Sequence, residues 1–360
     1  MSRAFNFSAG PAALPAAVLE QVQHELLEWQ GERASVMEVS HRGQAFIDCA
    51  AEAERDLRAL MGVGGDYHAL FLQGGATALA ALLPLNLAGP DAVADYVLTG
   101  HWGEKALENA RPSLRARVAA TAKPEGYRGL PPRAQWELDP AAAYVHYTPN
   151  ETIHGVEIHE VPEVGAVPLV ADFSSSLLSR PVDVSRFGVI YGGAQKNLGP
   201  AGLTLVIVRE DLLGHVRAGS PSLLDLKQQA EHDSMVNTPP TYAVYIAGLV
   251  FQWLKRQGGV AAIEQRNIQK ANLLYDYLDA TDFYTNPVAK ADRSRMNIPF
   301  TLPEPALDAP FLAGAHERGL LQLKGHRSVG GMRASIYNAM PVAGVQALVD
   351  YMRSFEKRHG

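Results

Sequence analysis

The chain has 360 residues, of which 47% are hydrophobic and 19% are charged, and it carries a formal net charge of -6. These values indicate a soluble globular protein of about two domains and argue against nucleic acid as a partner. The single cysteine, Cys49, excludes a disulfide framework within the chain. Because we find neither a signal peptide nor a run of 18 apolar residues, we expect a cytoplasmic protein with no membrane partner.

The first part of the chain is predicted to be an extended segment followed by two helices. We assign residues 1–15 to an N-terminal loop segment, and apolar residues at helical spacing predict a helix from Pro15 to about Gln30. A second helix is expected over residues 44–61. Cys49 falls inside this helix, where we interpret it as a small buried hydrophobic residue.

A glycine turn follows the first predicted strand. Residues 69–72 form a short apolar run, Gly74 and Gly75 follow, and a sequence of high helix propensity begins at Ala76. A turn that leads from a strand into a helix presents free backbone N–H groups, which suit a phosphate. Glycines between a strand and a helix are common, so this pattern alone is a weak indication of phosphate binding.

The middle of the chain alternates between apolar runs and helices, with one helix expected over residues 104–110. Runs of this kind predict a mainly parallel central sheet covered by helices, that is, an α/β fold. In such sheets, ligands bind at the carboxyl ends of the strands, and several polar or aromatic residues follow predicted strand ends. The predicted strands are residues 95–99, 116–120, 143–147, 167–171, 189–191 and 203–208, and the residues that follow strand ends are Trp102, Thr152, Asp172 and Lys196.

The C-terminal part is predicted to form a second, smaller domain. Residues 241–280 form long helical structure that is interrupted at Gly258 and Gly259, and the order of elements changes after it. We therefore assign residues 16–258 to a large domain and residues 259–360 to a small α+β domain. The small domain is expected to contain strands at 296–300, 319–323 and 331–337 and helices at 310–318 and 342–357.

Lys196 is the first candidate for catalysis. It lies on a loop rich in Gly and Pro between two apolar runs, where burial would favour the neutral amine. A neutral amine can attack a carbonyl and form a Schiff base. The ordinary alternative is a surface lysine on a turn, because most lysines are exposed.

The residues around Lys196 suit one cofactor, pyridoxal 5'-phosphate. Its aldehyde needs a lysine, its ring nitrogen needs a carboxylate such as Asp172, and its phosphate needs a helix N-terminus. Trp102 would offer an aromatic face to the ring. Taken singly, Asp172 has the alternative of capping a helix and Trp102 that of lying in the core.

Seven motifs resemble the phosphoserine aminotransferase family. They occur in the order found in that family and span nearly the whole chain. The resemblance implies a fold-type I pyridoxal phosphate enzyme that acts as a homodimer and moves an amino group between glutamate and 3-phosphohydroxypyruvate. In many bacteria the family also acts on a phosphorylated threonine precursor of pyridoxal phosphate. The motifs are Phe-Asn-Phe-Ser-Ala-Gly-Pro, Met-Glu-Val-Ser-His-Arg-Gly, Pro-Asn-Glu-Thr, Ala-Asp-Phe-Ser-Ser, Gly-Ala-Gln-Lys-Asn-Leu-Gly-Pro-Ala-Gly, Asn-Thr-Pro-Pro-Thr and Gly-His-Arg-Ser-Val-Gly-Gly-Met-Arg-Ala-Ser.

The resemblance also implies roles for individual residues. Lys196 and Asp172 are the expected catalytic residues, with Trp102 stacked on the cofactor ring and Thr152 near the ring hydroxyl. Ala76, Thr77 and Gln195 are expected to bind the cofactor phosphate, together with Asn237 and Thr238 of the neighbouring subunit. Arg333 is expected to bind the substrate α-carboxylate, since arginine binds carboxylates with two hydrogen bonds. The distal phosphate or γ-carboxylate is expected to bind His41, Arg42, His326 and Arg327.

One position of this chain departs from the residue found in part of the family. Some members carry an arginine where this chain has Thr77, so Arg42 and Arg327, or another arginine, would have to hold the substrate phosphate.

Four other functions are alternatives to this interpretation. A cysteine desulfurase would need a reactive Cys49, and serine–glyoxylate or alanine–glyoxylate transamination would need fewer cationic groups. A non-catalytic phosphate-binding module would have no use for Lys196. A metal site is a weak alternative, so no metal is expected; its candidate ligands are His154, Glu157 and His159.

Overall fold

The computed structural model describes residues 3–360, so the first two residues of the predicted segment 1–15 lie outside the described residues. Helices and strands alternate through the first two thirds of the chain. The helices are α1 (Ala16–His24), α2 (Gln44–Met61), α3 (Gly75–Leu87), α4 (His101–Ala110), α5 (Leu226–Glu231), α6 (Thr241–Arg256), α7 (Gly259–Asp279), α8 (Asp308–Glu317) and α9 (Val342–His359). The strands are β1 (Phe5–Asn6), β2 (Tyr67–Leu72), β3 (Val93–Leu98), β4 (Arg115–Thr121), β5 (Val145–Tyr147), β6 (Asn150–Glu151), β7 (Val156–Glu157), β8 (Leu169–Asp172), β9 (Val189–Gly193), β10 (Thr204–Arg209), β11 (Asn297–Phe300), β12 (Leu320–Leu321) and β13 (Met332–Ser335).

A seven-stranded sheet with the order β2-β10-β9-β8-β5-β3-β4 forms the centre of the larger part. Strand β10 is antiparallel to both of its neighbours, and the remaining pairs are parallel. Helices α1, α2 and α6 contribute to the apolar core on one face, and α3 and α4 to the core on the other. The prediction of a mainly parallel sheet covered by helices is therefore confirmed.

A separate apolar core, besides the two on the faces of the sheet, forms in the C-terminal part of the chain. It contains residues of α8, α9, β11 and β13, and Phe7 from the N-terminal segment also packs there. Strand β1, predicted as loop, pairs in parallel with β12 and joins the two ends of the chain. Helix α7 contributes to two of these cores. Ile263 lies in the core that α1, α2 and α6 form on the sheet, and Leu274 lies in the C-terminal core. The boundary between residues 258 and 259 stays a prediction.

Helix α1 is shorter than the sequence predicts. It ends at His24 rather than near Gln30, and the chain continues as a loop in which Gln30 and Arg33 have positive φ angles of 53° and 58°. Trp29 is fully buried in this loop, where it packs edge-on against Tyr245 at 5.9 Å between ring centroids. The apolar spacing that predicted helix was therefore loop packing.

Helix α4 begins earlier than predicted, at His101 rather than Glu104. A buried carboxylate accepts hydrogen bonds from two backbone N–H groups of the first turn, and these bonds stabilise the earlier start of the helix. That carboxylate belongs to Glu151.

No helix within residues 3–360 is both long enough and apolar enough to cross a membrane.

Candidate active site

A cavity of about 340 Å³ opens where the parallel strands of the sheet end. It lies between the carboxyl ends of these strands and residues of the C-terminal part. Nine of the residues singled out in the sequence line it, so the topology brings most of the predicted site together. These are Ala76, Thr77, Trp102, Thr152, Asp172, Gln195, Lys196, His326 and Arg333.

Lys196 extends into this cavity from the loop after β9. Its Nζ donates a hydrogen bond to Thr152 Oγ1 at 3.0 Å and lies 5.7 Å from the centre of the Trp102 ring. Burial lowers the pKa of Lys196 to about 8, although the nearby carboxylates of Asp172 and Glu151 favour the charged amine. An amine with this pKa is neutral in part near neutral pH, so it can act as a nucleophile or a base.

Asp172 is the last residue of β8, and its carboxylate is held in one orientation. Its Oδ1 accepts hydrogen bonds from the Ser174 backbone N–H at 2.9 Å and from the Ser174 hydroxyl at 2.5 Å. Burial raises the pKa of Asp172, while these two hydrogen bonds and Lys196 counteract the rise. Within residues 3–360, Oδ2 has no hydrogen-bond donor. This side of the carboxyl group therefore suits a cationic ring nitrogen.

The first turn of α3 forms the anion-binding end of the cavity. Gly74 turns the chain with a φ of 100°, and the Gly75 N–H donates to Thr204 Oγ1 at 2.7 Å. Ala76 and Thr77 follow in the cavity wall, and the first N–H groups of a helix have no acceptor within it. The predicted glycine turn thus lies at the cavity, and its binding of phosphate stays a prediction.

Glu151 is the functional candidate that the sequence interpretation missed. It is fully buried at the end of β6, and its two carboxylate oxygens accept the backbone N–H groups of Trp102 at 3.0 Å and Gly103 at 2.8 Å. Burial raises the pKa of Glu151 to about 7, against the effect of these two hydrogen bonds. A signal was present in the Pro-Asn-Glu-Thr motif, where an acidic residue lies four positions beyond the buried strand β5 and directly precedes Thr152.

Arg333 and His326 lie together on one side of the cavity, where Arg333 supplies the positive charge, because burial and the Arg333 guanidinium lower the pKa of His326 and favour its neutral ring. Arg333 is half-buried on β13, with its Nη1 at 3.4 Å from the Thr152 carbonyl oxygen, and burial lowers the pKa of its guanidinium. The His326 ring lies against the Ser328 hydroxyl, with 2.7 Å between Nδ1 and Oγ. The cavity can therefore bind a molecule with an acidic group at this side.

Five predicted residues do not line the cavity of the described chain. His41 and Arg42 precede α2, and Arg327 is exposed beside His326. Asn237 and Thr238 are also exposed. Asn237 borders a separate cavity of about 320 Å³ outside α3, and the Thr238 carbonyl accepts from Gln73 Nε2 at 3.0 Å. The roles of these five residues stay predictions.

Two of the competing functions find little support in the geometry. Cys49 lies in α2 as predicted but is half-buried rather than buried; this partial burial raises the pKa of its thiol to about 12, and the thiol does not line the active-site cavity. Glu157 bonds to Arg295 Nη2 at 3.0 Å, and the His154 ring packs against Tyr127. No group of three or more potential metal ligands comes together within residues 3–360.

The chemistry of the cavity fits the cofactor expected from the sequence. It presents an amine, a buried carboxylate, the free N–H groups of a helix and an aromatic side chain around one space. These groups match the aldehyde, the ring nitrogen, the phosphate and the ring face of pyridoxal phosphate. Among known families, the model described as aminotransferase class-V matches residues 4–348. The chain belongs to this family.

Individual relatives agree with the family resemblance seen in the motifs. A protein named phosphoserine aminotransferase from Herminiimonas arsenicoxydans is 58% identical over 363 residues and is covered over 100% of both chains. Another of that name from Pseudomonas aeruginosa is 59% identical over 358 residues, with 99% of both covered. The predicted resemblance is confirmed.

Solved structures confirm the fold. Phosphoserine aminotransferase from Bacillus circulans subsp. alkalophilus has a TM-score of 0.97 at 43% identity, with 99% of both chains covered. A phosphoserine aminotransferase from Trichomonas vaginalis, described as bound to pyridoxal phosphate, has a TM-score of 0.91 at 39% identity and covers 98% of this chain and 100% of its own. The prediction of a fold-type I arrangement is therefore confirmed.

Proposed function

We propose that this chain catalyses transamination between L-glutamate and 3-phosphohydroxypyruvate, giving O-phospho-L-serine and 2-oxoglutarate, with pyridoxal 5'-phosphate as cofactor. The observation that carries the proposal is the position of Lys196 Nζ in one cavity with Asp172, the α3 N-terminus and Arg333. The full-length relatives named for this reaction support the choice of substrate. The reaction belongs to serine biosynthesis.

Lys196 has two tasks in this proposal. It would hold the cofactor covalently between turnovers. Once the substrate amine displaces it, the neutral lysine amine would take the proton from the substrate Cα and pass it to the former aldehyde carbon of the cofactor. When bound, pyridoxal phosphate supplies an electron sink for the negative charge that this proton transfer leaves on the substrate. The pKa of about 8 leaves part of the lysine neutral near neutral pH, as a base requires.

The remaining cofactor-binding residues orient and retain the ring. Asp172 keeps the ring nitrogen protonated, because a buried carboxylate beside it favours the cationic form. The N–H groups of Ala76 and Thr77, with Gln195, bind the phosphate at the start of α3. Trp102 would cover one face of the ring, and the Thr152 hydroxyl, which accepts a hydrogen bond from Lys196 Nζ, would contact the ring hydroxyl.

Substrate recognition uses cations at both ends of a doubly acidic molecule. Arg333 lines the cavity and binds the α-carboxylate. His326 also lines the cavity, so it is the first candidate for a hydrogen bond to the distal phosphate or γ-carboxylate, with Arg327, Arg42 and His41 completing the set. Thr77 adds a hydroxyl but no charge, so the arginines carry the charge recognition.

We extend the proposal to the location of the enzyme, a second substrate and its assembly. The enzyme acts in the cytoplasm, and it also transaminates 4-phosphohydroxy-L-threonine in pyridoxine biosynthesis. It acts as a homodimer in which Asn237 and Thr238 of one subunit reach the cofactor phosphate of the other. Their exposure, away from their own cavity, is compatible with such a contact.

The test compares three amino donors with 2-oxoglutarate as acceptor. We expect phosphoserine to react with a kcat/KM at least about a hundredfold above those of serine and alanine, since each charge-assisted contact to phosphate contributes roughly tenfold or more. Release of glutamate measures all three reactions. Alanine or serine as the best donor would contradict the proposal and favour a glyoxylate-type transaminase of the same fold.

A further inference from the structure

Glu151 connects two elements that meet at the cavity. It ends β6, which forms a small antiparallel hairpin with β7, and Glu151 lies opposite Val156 in this hairpin. Its side chain reaches the first turn of α4, where each carboxylate oxygen accepts one backbone N–H, from Trp102 and from Gly103. A fully buried carboxylate is costly unless such bonds compensate it, so its place at this point has a specific structural consequence.

Gly100 leaves the space that the carboxylate occupies. A Cβ at Gly100 would lie 2.4 Å from the Glu151 Cδ and 2.6 Å from its Oε2. The φ of Gly100 is 172°, an extended conformation that any residue adopts, so the backbone does not require glycine here. The requirement for glycine comes from the carboxylate itself. The Glu151 side chain and the start of α4 therefore fit together closely.

The next residue along the chain contacts the reactive amine. Thr152 accepts the hydrogen bond of Lys196 Nζ at 3.0 Å, while Glu151 holds the backbone of Trp102, whose ring centre lies 5.7 Å from the same Nζ. Two adjacent residues thus fix the lysine and the indole relative to one another. Trp102 is 36% exposed, and His101 packs edge-on against its ring at 5.3 Å between ring centroids.

We propose that Glu151 is a positioning residue that acts through Trp102: its carboxylate fixes the start of α4 and thereby the distance of the indole from Lys196. The inference rests on the proposed function, in which the cofactor ring lies against this indole. Glu151 itself makes no contact with the cofactor or the substrate in this account. Loss of the Glu151 carboxylate should affect how tightly the cofactor ring is held more than it affects the proton-transfer step.

The decisive variant is Glu151→Gln, which keeps the size of the side chain. Its amide NH₂ faces one of the two backbone N–H groups, so one hydrogen bond becomes a contact between two donors. We expect the dissociation constant for pyridoxal phosphate to rise about tenfold and the visible circular dichroism band of the bound cofactor to shrink. Both readouts are independent of turnover.

The matched control is Glu157→Gln. Glu157 is also a buried carboxylate of the same hairpin, but it bonds to Arg295 and does not line the cavity. We expect this variant to lower the melting temperature while cofactor affinity and the dichroism band stay within about twofold of the parent chain. Gly100→Ala is the second test variant, because its Cβ displaces the carboxylate from the other side, and it should reproduce the effects of Glu151→Gln.

The action through Trp102 is tested by repeating Glu151→Gln in a Trp102→Ala background. There the substitution should change the cofactor dissociation constant by less than about twofold, because the group it positions is gone. Equal losses in both backgrounds would overturn the proposal, as would Glu151→Gln or Gly100→Ala proteins with the affinity and dichroism of the parent chain. If the parent chain itself binds no pyridoxal phosphate, the proposed function fails instead, which separates the two results.

Discussion

Two buried lysines in this chain show why burial alone does not make a reactive amine. Burial lowers the pKa of Lys270 to about 7 and that of Lys196 to about 8. Lys270 Nζ donates to the carbonyl oxygens of Ile336 at 2.8 Å and Tyr337 at 2.7 Å, and it does not line the active-site cavity. Lys196 has one hydroxyl partner and faces the cavity. Its surroundings, rather than its pKa, support the catalytic role that we propose for Lys196.

Arg327 tests the recognition of the distal phosphate. We expect Arg327→Ala to lower kcat/KM for phosphoserine about tenfold, because an exposed guanidinium beside His326 would lose its contact with a doubly charged group. The half-reaction with alanine, followed by the change in cofactor absorbance, should stay within about twofold. Arg327→Lys, which keeps the charge, is the control and should recover part of the loss. Equal losses for both amino acids would argue against a phosphate role.

At the level of single residues, the sequence predicted those with distinctive chemistry and missed the one with a supporting role. Lys196, Asp172, Trp102 and Arg333 all line the cavity as expected. Glu151 was missed because its function depends on the spatial contact between β6 and α4, which are about fifty residues apart and which no periodicity reveals.

The element that most directly prepares the site is the turn into α3. Gly74 combines a φ of 100° with a tight environment, since a Cβ there would lie 2.5 Å from the Ala78 Cβ. Both features require the first turn of α3 to move if any side chain is added. The free N–H groups of Ala76 and Thr77 would move with it.

The Gly74→Ala variant tests this arrangement. We expect its affinity for pyridoxal phosphate to fall about tenfold or more, because the N–H groups that bind the phosphate are displaced. Gly89→Ala provides the control, since a Cβ at Gly89 has no neighbour within 4 Å and its φ is not positive. Titration of the apo protein with the cofactor measures both. Unchanged affinity in Gly74→Ala would show that α3 does not hold the phosphate.

Elements with an unbroken pattern were the most predictable. Helix α2 has the bounds expected from its spacing, and all the predicted strands of the large sheet are present. The misplaced boundaries have tertiary causes: Trp29 packs on Tyr245 from a loop beyond α1, and Glu151 extends α4 backward to His101. Pairing of β1 with β12 joins distant parts of the chain, so local sequence could not predict it.

On the scale of the whole molecule, the cavity lies where the large sheet meets the C-terminal part of the chain. The sheet supplies Lys196 and Asp172, and β13 from the C-terminal part supplies Arg333. The sequence predicted a mainly parallel sheet covered by helices, but the order of the strands and the antiparallel position of β10 follow from long-range pairing. The second subunit belongs to the proposed function and needs its own test.

A mixed dimer tests whether Asn237 acts across a subunit boundary. Lys196→Ala and Asn237→Asp, each inactive alone, are co-expressed with different tags and the mixed dimer is purified. One of its two sites would combine Lys196 of one subunit with Asn237 of the other, so we expect about half of the parent activity. An inactive mixed dimer, or no dimer at all, would contradict a shared site.

The central claim is that this cavity holds pyridoxal phosphate on Lys196, and reduction with borohydride tests it most directly. The purified protein should be yellow, lose its colour on reduction, and carry a pyridoxyl group on the peptide that contains Lys196, while Lys196→Ala should remain unlabelled. Lys270→Met should be labelled like the parent chain. A covalent adduct on Lys270 or any other lysine, or one that persists in Lys196→Ala, would contradict the account.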